Sequence, residues 1–262
     1  MIANLRIPSG WRTGYEGFEC FPRLAFAWEY LRRNEMFYQA CRTETRQVRQ
    51  VGERLTMIDD PHVTSRGTCL FAASPDEDAR SATVFWNPDR CPKVLRLLAL
   101  PFQEGVKPFI LREETLYTSV LVAADGTQHV LIRDGVRCLQ LCVRGKSLLQ
   151  PVTLVFDTGG SPSSPAFQMQ MLACFQDCRA GKGLLERYFP PDPHAKRLTL
   201  VLRAFDGWLA GLPQREIALE LYGPERVERD WRDPKENLRD QVRHAIARGR
   251  ALADRGYSAF LR

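Results

Sequence analysis

The sequence predicts an α+β fold, with an N-terminal mixed domain of antiparallel sheet and helices followed by an all-α helix-turn-helix domain. The middle of the chain alternates apolar and polar residues with a period of two, which is typical of strands. The C-terminal part has the 3.6-residue period of amphipathic helices, with clear start and stop signals. Prolines at positions 190, 191 and 193 separate the two patterns. We therefore expect a mixed domain over residues 1–190 and a helical domain over residues 195–262.

The composition indicates a globular protein with a basic C-terminal end. Of 262 residues, 44% are hydrophobic and 26% are charged, and the formal net charge is +6. Residues 234–262 hold seven Lys or Arg against three acids, so +4 of this charge lies there. Such a concentration of positive charge favours a polyanionic partner.

Several other classes of protein are disfavoured by what the sequence lacks. The N-terminus has no apolar signal region, and no run approaches about 18 apolar residues, so we expect a cytoplasmic protein without a membrane association. The eight cysteines are then expected to be reduced. None of them forms a C-x-x-C pair and no histidines have zinc-ligand spacing, so we predict no metal site.

The first half of the chain gives helix signals and then strand signals. An aromatic-rich helix is predicted over residues 24–42, and the polar stretch over 43–57 is expected to form a second helix. Short apolar runs then predict strands. The turn residues Asp125 and Gly126 predict a hairpin, extended to three antiparallel strands by residues 137–145, with residues 149–157 as a fourth strand.

Four helices are predicted in the second half. One covers residues 166–181 and another residues 196–212. A short helix follows Pro213 and ends at Gly223. The last is a long helix over 234–255, whose start is marked by Asp233 as N-cap, Pro234 and Glu236 in a capping-box pattern.

The long helix is predicted to have a buried stripe and a basic ridge. At 100° per residue, Arg239, Arg243 and Arg250 fall within roughly 40° of one another, while His244 and Arg248 lie on the other flank. A basic helix that follows a short helix is typical of a helix-turn-helix in a DNA major groove. The stripe comprises Leu238, Val242, Ala245, Ile246, Gly249, Leu252 and Ala253.

No catalytic motif is present. Nucleophile elbows, zinc-protease helices and phosphate-binding loops with a Walker lysine are all absent, so we expect no enzyme activity and no cofactor. Two alternatives remain open at this stage. One is an antiactivator or adaptor that binds another regulator, and the other is an enzyme with an unrecognised site in the β-rich part.

Four segments resemble the RovC-type family of two-part proteobacterial transcription regulators. They are AWEYLRRNEMFY at 27–38, VFWNPDRCP at 84–92, and the C-terminal segments QREIALELYG and DWRDPKENLRDQVRHAIARGRALADRGYSAFL. The family includes activators of type VI secretion genes and FseA-like regulators of integrative-element excision.

The resemblance implies a transcriptional activator that binds promoter DNA as a homo-oligomer, described in the family as a hexamer. It further implies that Arg215 and the basic ridge touch DNA, while the N-terminal part holds subunits together. The predicted DNA-binding residues are Arg215, Arg232, Lys235, Arg239, Arg243, His244, Arg248 and Arg250.

Overall fold

The computed structural model describes residues 14–43, 47–59, 69–72, 74–105, 108–111, 116–157, 165–233 and 238–262. Their contacts divide them into two compact units. We call the described residues of 14–39 and 190–260 the helical unit, and those of 40–189 with 261–262 the sheet unit. One unit is rich in strands and the other is helical, which confirms the predicted α+β class.

The sheet unit is built on a mixed sheet of seven strands. Its order is β1-β2-β6-β7-β8-β5-β9, and a separate antiparallel pair is formed by β3 and β4. The β2–β6 and β5–β8 pairs are parallel, and the other pairs are antiparallel. The strands are β1 (Gln47–Gln50), β2 (Leu55–Asp59), β3 (Cys69–Ala72), β4 (Val84–Trp86), β5 (Leu95–Pro101), β6 (Tyr117–Val122), β7 (Gln128–Asp134), β8 (Arg137–Gly145) and β9 (Val152–Phe156).

The predicted hairpin is present as β6–β7, and β8 continues it as the third antiparallel strand. Gly126 has a φ of 81°, and the Thr127 N–H donates to Asp125 Oδ1 over 2.9 Å, as a tight Asp-Gly turn requires. The predicted fourth strand is β9, which pairs with β5 rather than with β8. Since β5 runs parallel to β8, it occupies the place that a simple meander would give to β9.

Both faces of the sheet bury apolar side chains. On one face, Val130 and Leu141 share a core with Met171 and Phe175 of helix α3 (Pro165–Asp177). On the other face, Leu121 and Leu131 pack with Phe71 and Phe85 from the β3–β4 pair. Successive side chains of one strand point to opposite faces, which is why neighbours such as Val130 and Leu131 belong to different cores.

The helix predicted over residues 43–57 is wrong, because the described residues of this stretch include β1 and the start of β2. The polar composition permits a helix locally, but β2 gains a hydrogen-bonded neighbour on each side. It also buries Leu55 and Met57 in the sheet core. The helix predicted over 24–42 is divided into α1 (Arg23–Leu31) and α2 (Glu35–Thr43).

The helical unit combines α1 with four C-terminal helices. The Tyr30 hydroxyl donates to the Leu198 carbonyl over 2.9 Å, and the ring of Tyr30 stacks on Phe260. The sequence places residues 14–39 in the N-terminal domain, whereas by contacts they lie with the C-terminal helices. The boundaries 1–190 and 195–262 therefore stay a prediction about functional domains. The C-terminal helices are α4 (Ala195–Leu209), α5 (Gln214–Tyr222), α6 (Pro224–Asp230) and α7 (Leu238–Asp254).

Within the part of the chain that the structure describes, no helix has both the length and the apolar character needed to cross a bilayer.

Candidate nucleic-acid interface

The long C-terminal helix α7 has the predicted buried stripe. Five apolar side chains and one glycine of α7 are buried, and Leu252 is partly buried. The stripe packs against α4 and α5, and its end approaches α1. The predicted capping box and Lys235 fall on residues 234–237 and lie outside the described residues. The buried members are Leu238, Val242, Ala245, Ile246, Gly249 and Ala253.

Gly249 sets the close approach of α7 to α4. A Cβ atom built on Gly249 would lie 2.5 Å from Phe205 Cβ and 3.1 Å from the Val201 carbonyl oxygen. Real Cβ atoms do not come so close, so only glycine fits at this crossing. The helix is thereby seated along α4 with its basic flank turned outward.

The basic ridge, which consists of Arg239, Arg243 and Arg250, is exposed. Among the residues that the structure describes, none pairs with the Arg239 guanidinium. Arg243 forms an ion pair of 3.2 Å with Asp240, and both side chains remain about half exposed, at 62% and 48%. Exposed pairs of this kind contribute little free energy, so Arg243 can exchange its partner at small cost.

Arg250 is held differently, since its guanidinium lies 5.7 Å from the centre of the Trp208 ring. Trp208 in turn stacks on Phe205 at 5.9 Å, with an interplanar angle of 14°. The face of an indole ring attracts a cation and orders its side chain. The guanidinium is thus oriented while it remains accessible.

A groove of about 660 Å³ runs beside the ridge. Its two walls are the ridge flank of α7 and the junction between α4 and α5. Arg243 and Arg250 line one wall, and Trp208 and Gln214 line the other. The remaining lining residues are Ile246, Ala247, Ala251 and Asp254. Two guanidinium groups, an amide and an aromatic ring provide donors and a stacking surface suited to an anionic, partly apolar ligand such as a nucleic acid.

The other predicted contact residues that the structure describes are all exposed. Arg215 lies exposed beside Gln214 in the first turn of α5, and Arg232 is exposed after α6. His244 and Arg248 are exposed on the far flank of α7. The positive charge of Arg248 acts on Tyr30, whose pKa is raised above its ordinary value mainly by burial. The ridge and the groove therefore lie on one flank, and His244 and Arg248 on the other.

Two features of this region were missed by reasoning from the sequence. Helix α6 directly follows Gly223, and Pro224 at its first position is the signal that could have predicted it. Trp208 and Gln214 were not chosen as site residues. The helical period places Trp208 outside the apolar face of α4, which was the available signal for an exposed ring.

The basic residues of α6 are engaged by an acid. Arg229 donates to Asp230 over 2.7 Å, and Arg226 lies 3.5 Å from the same carboxylate. The hydrogen bond from Arg229, followed by the positive charges of both arginines, holds the pKa of Asp230 below its ordinary value. Two arginines of α6 thus share one nearly buried carboxylate, whereas among the described residues the ridge of α7 has a single ion pair, to the half-exposed Asp240.

A metal centre finds no support in the described ranges, which contain no group of three or more His, Cys, Asp and Glu side chains arranged to hold an ion. All eight cysteines lie in those ranges and none forms a disulfide. Burial raises the pKa of Cys91 and Cys142 to about 11, and that of Cys138 to about 12. Such thiols stay protonated at neutral pH and pack as small apolar groups.

Residues 168–262 match the model of a family named for the RovC DNA-binding domain and described as a type VI secretion system transcription factor, DNA-binding domain. Over these residues the chain is similar to the RovC DNA-binding domain family. The resemblance to RovC-type regulators is thereby confirmed, and the chain takes part in DNA-binding transcription regulation. No curated protein matches the chain.

The RovC-type match includes α4 to α7 and therefore the basic ridge and the groove. It begins at Gln168, within α3 of the sheet unit. Helix α1 lies outside the match although it belongs to the helical unit. The compact helical unit and the matched segment are thus not the same set of residues.

Proposed function

We propose that this protein is a sequence-specific DNA-binding transcriptional activator of type VI secretion genes, and that it acts as a homo-oligomer. The observation that carries the proposal is the basic ridge on α7. Its three arginines point away from a buried stripe and are either without a described partner or engaged only by exposed groups. The description of the matched family supplies the type VI secretion context.

In the proposed binding mode, α5 and α7 are the two helices of a helix-turn-helix, and α7 enters the major groove. Arg239 and Arg243 then reach base edges or phosphates, supported by Arg250. Gln214 and Arg215 lie in the first turn of α5, where backbone N–H groups lack helical partners and favour a phosphate. Helix α6 lengthens the connection beyond the short turn of simpler helix-turn-helix proteins.

The remaining predicted residues are assigned supporting roles. His244 and Arg248 lie roughly half a turn around the helix axis from the ridge. When α7 occupies the DNA major groove, they therefore face the opposite groove wall and its phosphates. Arg232 precedes α7 and can reach the DNA backbone from there. Lys235 is assigned the same role from the sequence alone. These contacts position the protein without reading sequence.

An oligomer would strengthen a weak single contact. One helix-turn-helix that makes few phosphate contacts binds weakly, and linking several copies raises the effective concentration at a promoter with repeated half-sites. By family resemblance, the oligomer is a hexamer held together by the N-terminal part of the chain.

The proposal is tested by measuring binding to promoter fragments for Arg239→Ala, Arg243→Ala and the double variant. Each single change is expected to weaken specific binding about five- to fifty-fold and to lower the slope of log affinity against log salt by about one unit. The melting temperature should hardly change, because both side chains are exposed.

Arg197→Ala is the matched control, since it removes the same charge from an exposed position on α4. It should leave the specific affinity nearly unchanged. Equal affinity of the wild type and the double variant for promoter DNA would contradict the proposed interface. If folded wild-type protein binds no promoter fragment, DNA-directed activation is excluded and a protein-binding adaptor is favoured.

A further inference from the structure

The side-chain amide of Asn34 joins the ends of two helices. Its Nδ2 group donates to the carbonyl oxygens of Ala253, over 3.1 Å, and Asp254, over 3.4 Å. Its Oδ1 atom accepts a hydrogen bond from the Phe37 N–H over 3.0 Å. One amide thus bonds the C-terminal end of α7 and caps the first turn of α2.

These contacts satisfy groups that helices leave open. The last carbonyls of an α-helix and its first N–H groups have no partner within the helix. An amide offers donors on one side and an acceptor on the other, so it can serve one end of each kind. A carboxylate in this place could still cap α2 but would repel the carbonyl oxygens of α7.

The backbone at Asn34 is itself firmly held. The preceding residue, Arg33, donates from Nε and from one terminal nitrogen to the two carboxylate oxygens of Asp206, each over 2.6 Å. It also donates to Glu29 Oε2 over 2.7 Å, and the Tyr15 hydroxyl donates to the same Asp206 carboxylate. The ion pair is buried, and it raises the pKa of Arg33 against the effect of burial. The network fixes the end of α1 to α4.

Helix α7 is therefore located at two points. Gly249 fixes its middle against Phe205 of α4, and Asn34 holds its last turn. Arg250 of the basic ridge lies between these two points along the helix. A small pivot of α7 about the Gly249 contact would move the two ends of the helix in opposite directions.

From this geometry we propose that Asn34 is a positioning residue for DNA binding, which sets the orientation of α7 and hence of the basic ridge. The inference rests on the proposed function, because it assumes that the ridge contacts DNA. Asn34 itself does not touch DNA. It acts through its hydrogen bonds to the last carbonyl groups of α7. Specific binding depends on Asn34 more than non-specific binding does, because only the readout of bases requires an exact helix orientation.

The test compares Asn34→Asp and Asn34→Ser with the wild type in the full chain. Both variants keep an oxygen that can cap α2, since Asp and Ser are good N-cap residues. Asp introduces a charge that repels the carbonyl oxygens of α7, and Ser is too short to reach them. Each is expected to lose about fivefold or more in specific promoter affinity, the value of about one hydrogen bond, while non-specific affinity falls less.

A second readout is independent of DNA. In both variants, amide hydrogen exchange should become faster in the last turn of α7 but not in α2. The control is Asp125→Asn, which exchanges carboxylate and amide at the exposed β6–β7 turn and should change neither readout. Failure of the wild type to bind promoter DNA would refute the proposed function, whereas the exchange rates would still report on Asn34.

Two outcomes would overturn the inference. The first is wild-type specific affinity in folded Asn34→Ser, since that variant keeps the cap of α2 and loses the bond to α7. The second is a uniform loss of affinity for specific and non-specific DNA that follows the melting temperature, because this would indicate a general loss of stability. If Asn34→Asp does not fold, the comparison rests on Asn34→Ser alone, with the same two criteria.

Discussion

At the scale of single residues, His129 gives the fold a specific response to acid. It lies in β7 with 5% of its surface exposed, and no described residue hydrogen-bonds its Nδ1 atom. Burial lowers the pKa of His129 from 6.5 to about 4. As the pH falls from 6.5 to about 4, His129 takes up a proton in the unfolded chain but not in the folded chain. The folded state should thus lose up to roughly 3 kcal/mol of its stability between pH 6.5 and pH 4.

The replacement His129→Gln tests this expectation because it removes the titrating group. Urea unfolding at a series of pH values should show that the variant loses less stability than the wild type over the same interval. A wild-type curve that runs parallel to that of the variant through this interval would contradict the assignment. Asp177 also has a shifted pKa, which hydrogen bonds from Lys182 and Tyr188 lower to about 2. Because Asp177 is present in both proteins, its titration does not contribute to the difference between their stability curves.

The exposure of single residues on α7 could be read from the sequence, but distant pairings could not. The period of 3.6 residues correctly separates the buried stripe, such as Val242, from the exposed Arg243. The ion pair of Arg33 with Asp206 joins residues 173 positions apart. Nothing local marks such a partner, and Arg33 alone looks like an ordinary solvent-facing residue of an amphipathic helix.

At the scale of elements, the packing of α7 on α4 depends on Gly249. The change Gly249→Ala should lower the free energy of unfolding by about 1–3 kcal/mol, because the added methyl group meets Phe205 and the Val201 carbonyl. In an exposed helix, replacing glycine by alanine stabilises by up to about 1 kcal/mol. The sign of the stability change in a thermal or denaturant melt therefore distinguishes a closely packed Gly249 from an exposed one. A stabilised variant would refute the close packing.

Elements with local signals were predicted, and those made by distant partners were not. Helices α4, α5 and α7 follow from period, prolines and glycines, and the β6–β7 hairpin follows from its Asp-Gly turn. Strand β2 was missed because its parallel neighbour β6 is about 60 residues away, and pairing with it overrides a locally helix-compatible sequence. The break at Asn34 was missed for a related reason, since the partner of its amide is the end of α7.

At the scale of the whole molecule, the matched segment lacks residues that complete its buried contacts. A fragment of residues 168–262 would lack Arg33 and Tyr15 and leave the buried carboxylate of Asp206 without its cation. Removing one partner of a buried pair costs about 3–5 kcal/mol, and the rings of Phe26 and Tyr30 would be lost as well. We expect this fragment to show no cooperative melt by circular dichroism.

A peptide of residues 14–39 added in trans should restore a cooperative transition to that fragment. The matched control is the same peptide with Arg33→Ala, which should restore it less or not at all. A fragment that melts cooperatively by itself, at the temperature of the full chain, would show that the N-terminal residues are dispensable. The prolines at positions 190, 191 and 193 predict a two-part chain, but nothing local in the sequence indicates that residues 14–39 pack with the C-terminal helices, since that depends on buried contacts.

The arrangement of the helical unit has a consequence for biosynthesis. Residues 14–39 leave the ribosome before the sheet unit, and their partners in α4 and α7 leave it after that unit. The sheet unit can fold while α1 still lacks the helices against which it packs. The aromatic side chains of α1 therefore stay exposed until α4 and α7 have been translated. A message cut short anywhere before α7 would therefore yield a polypeptide that does not complete this unit.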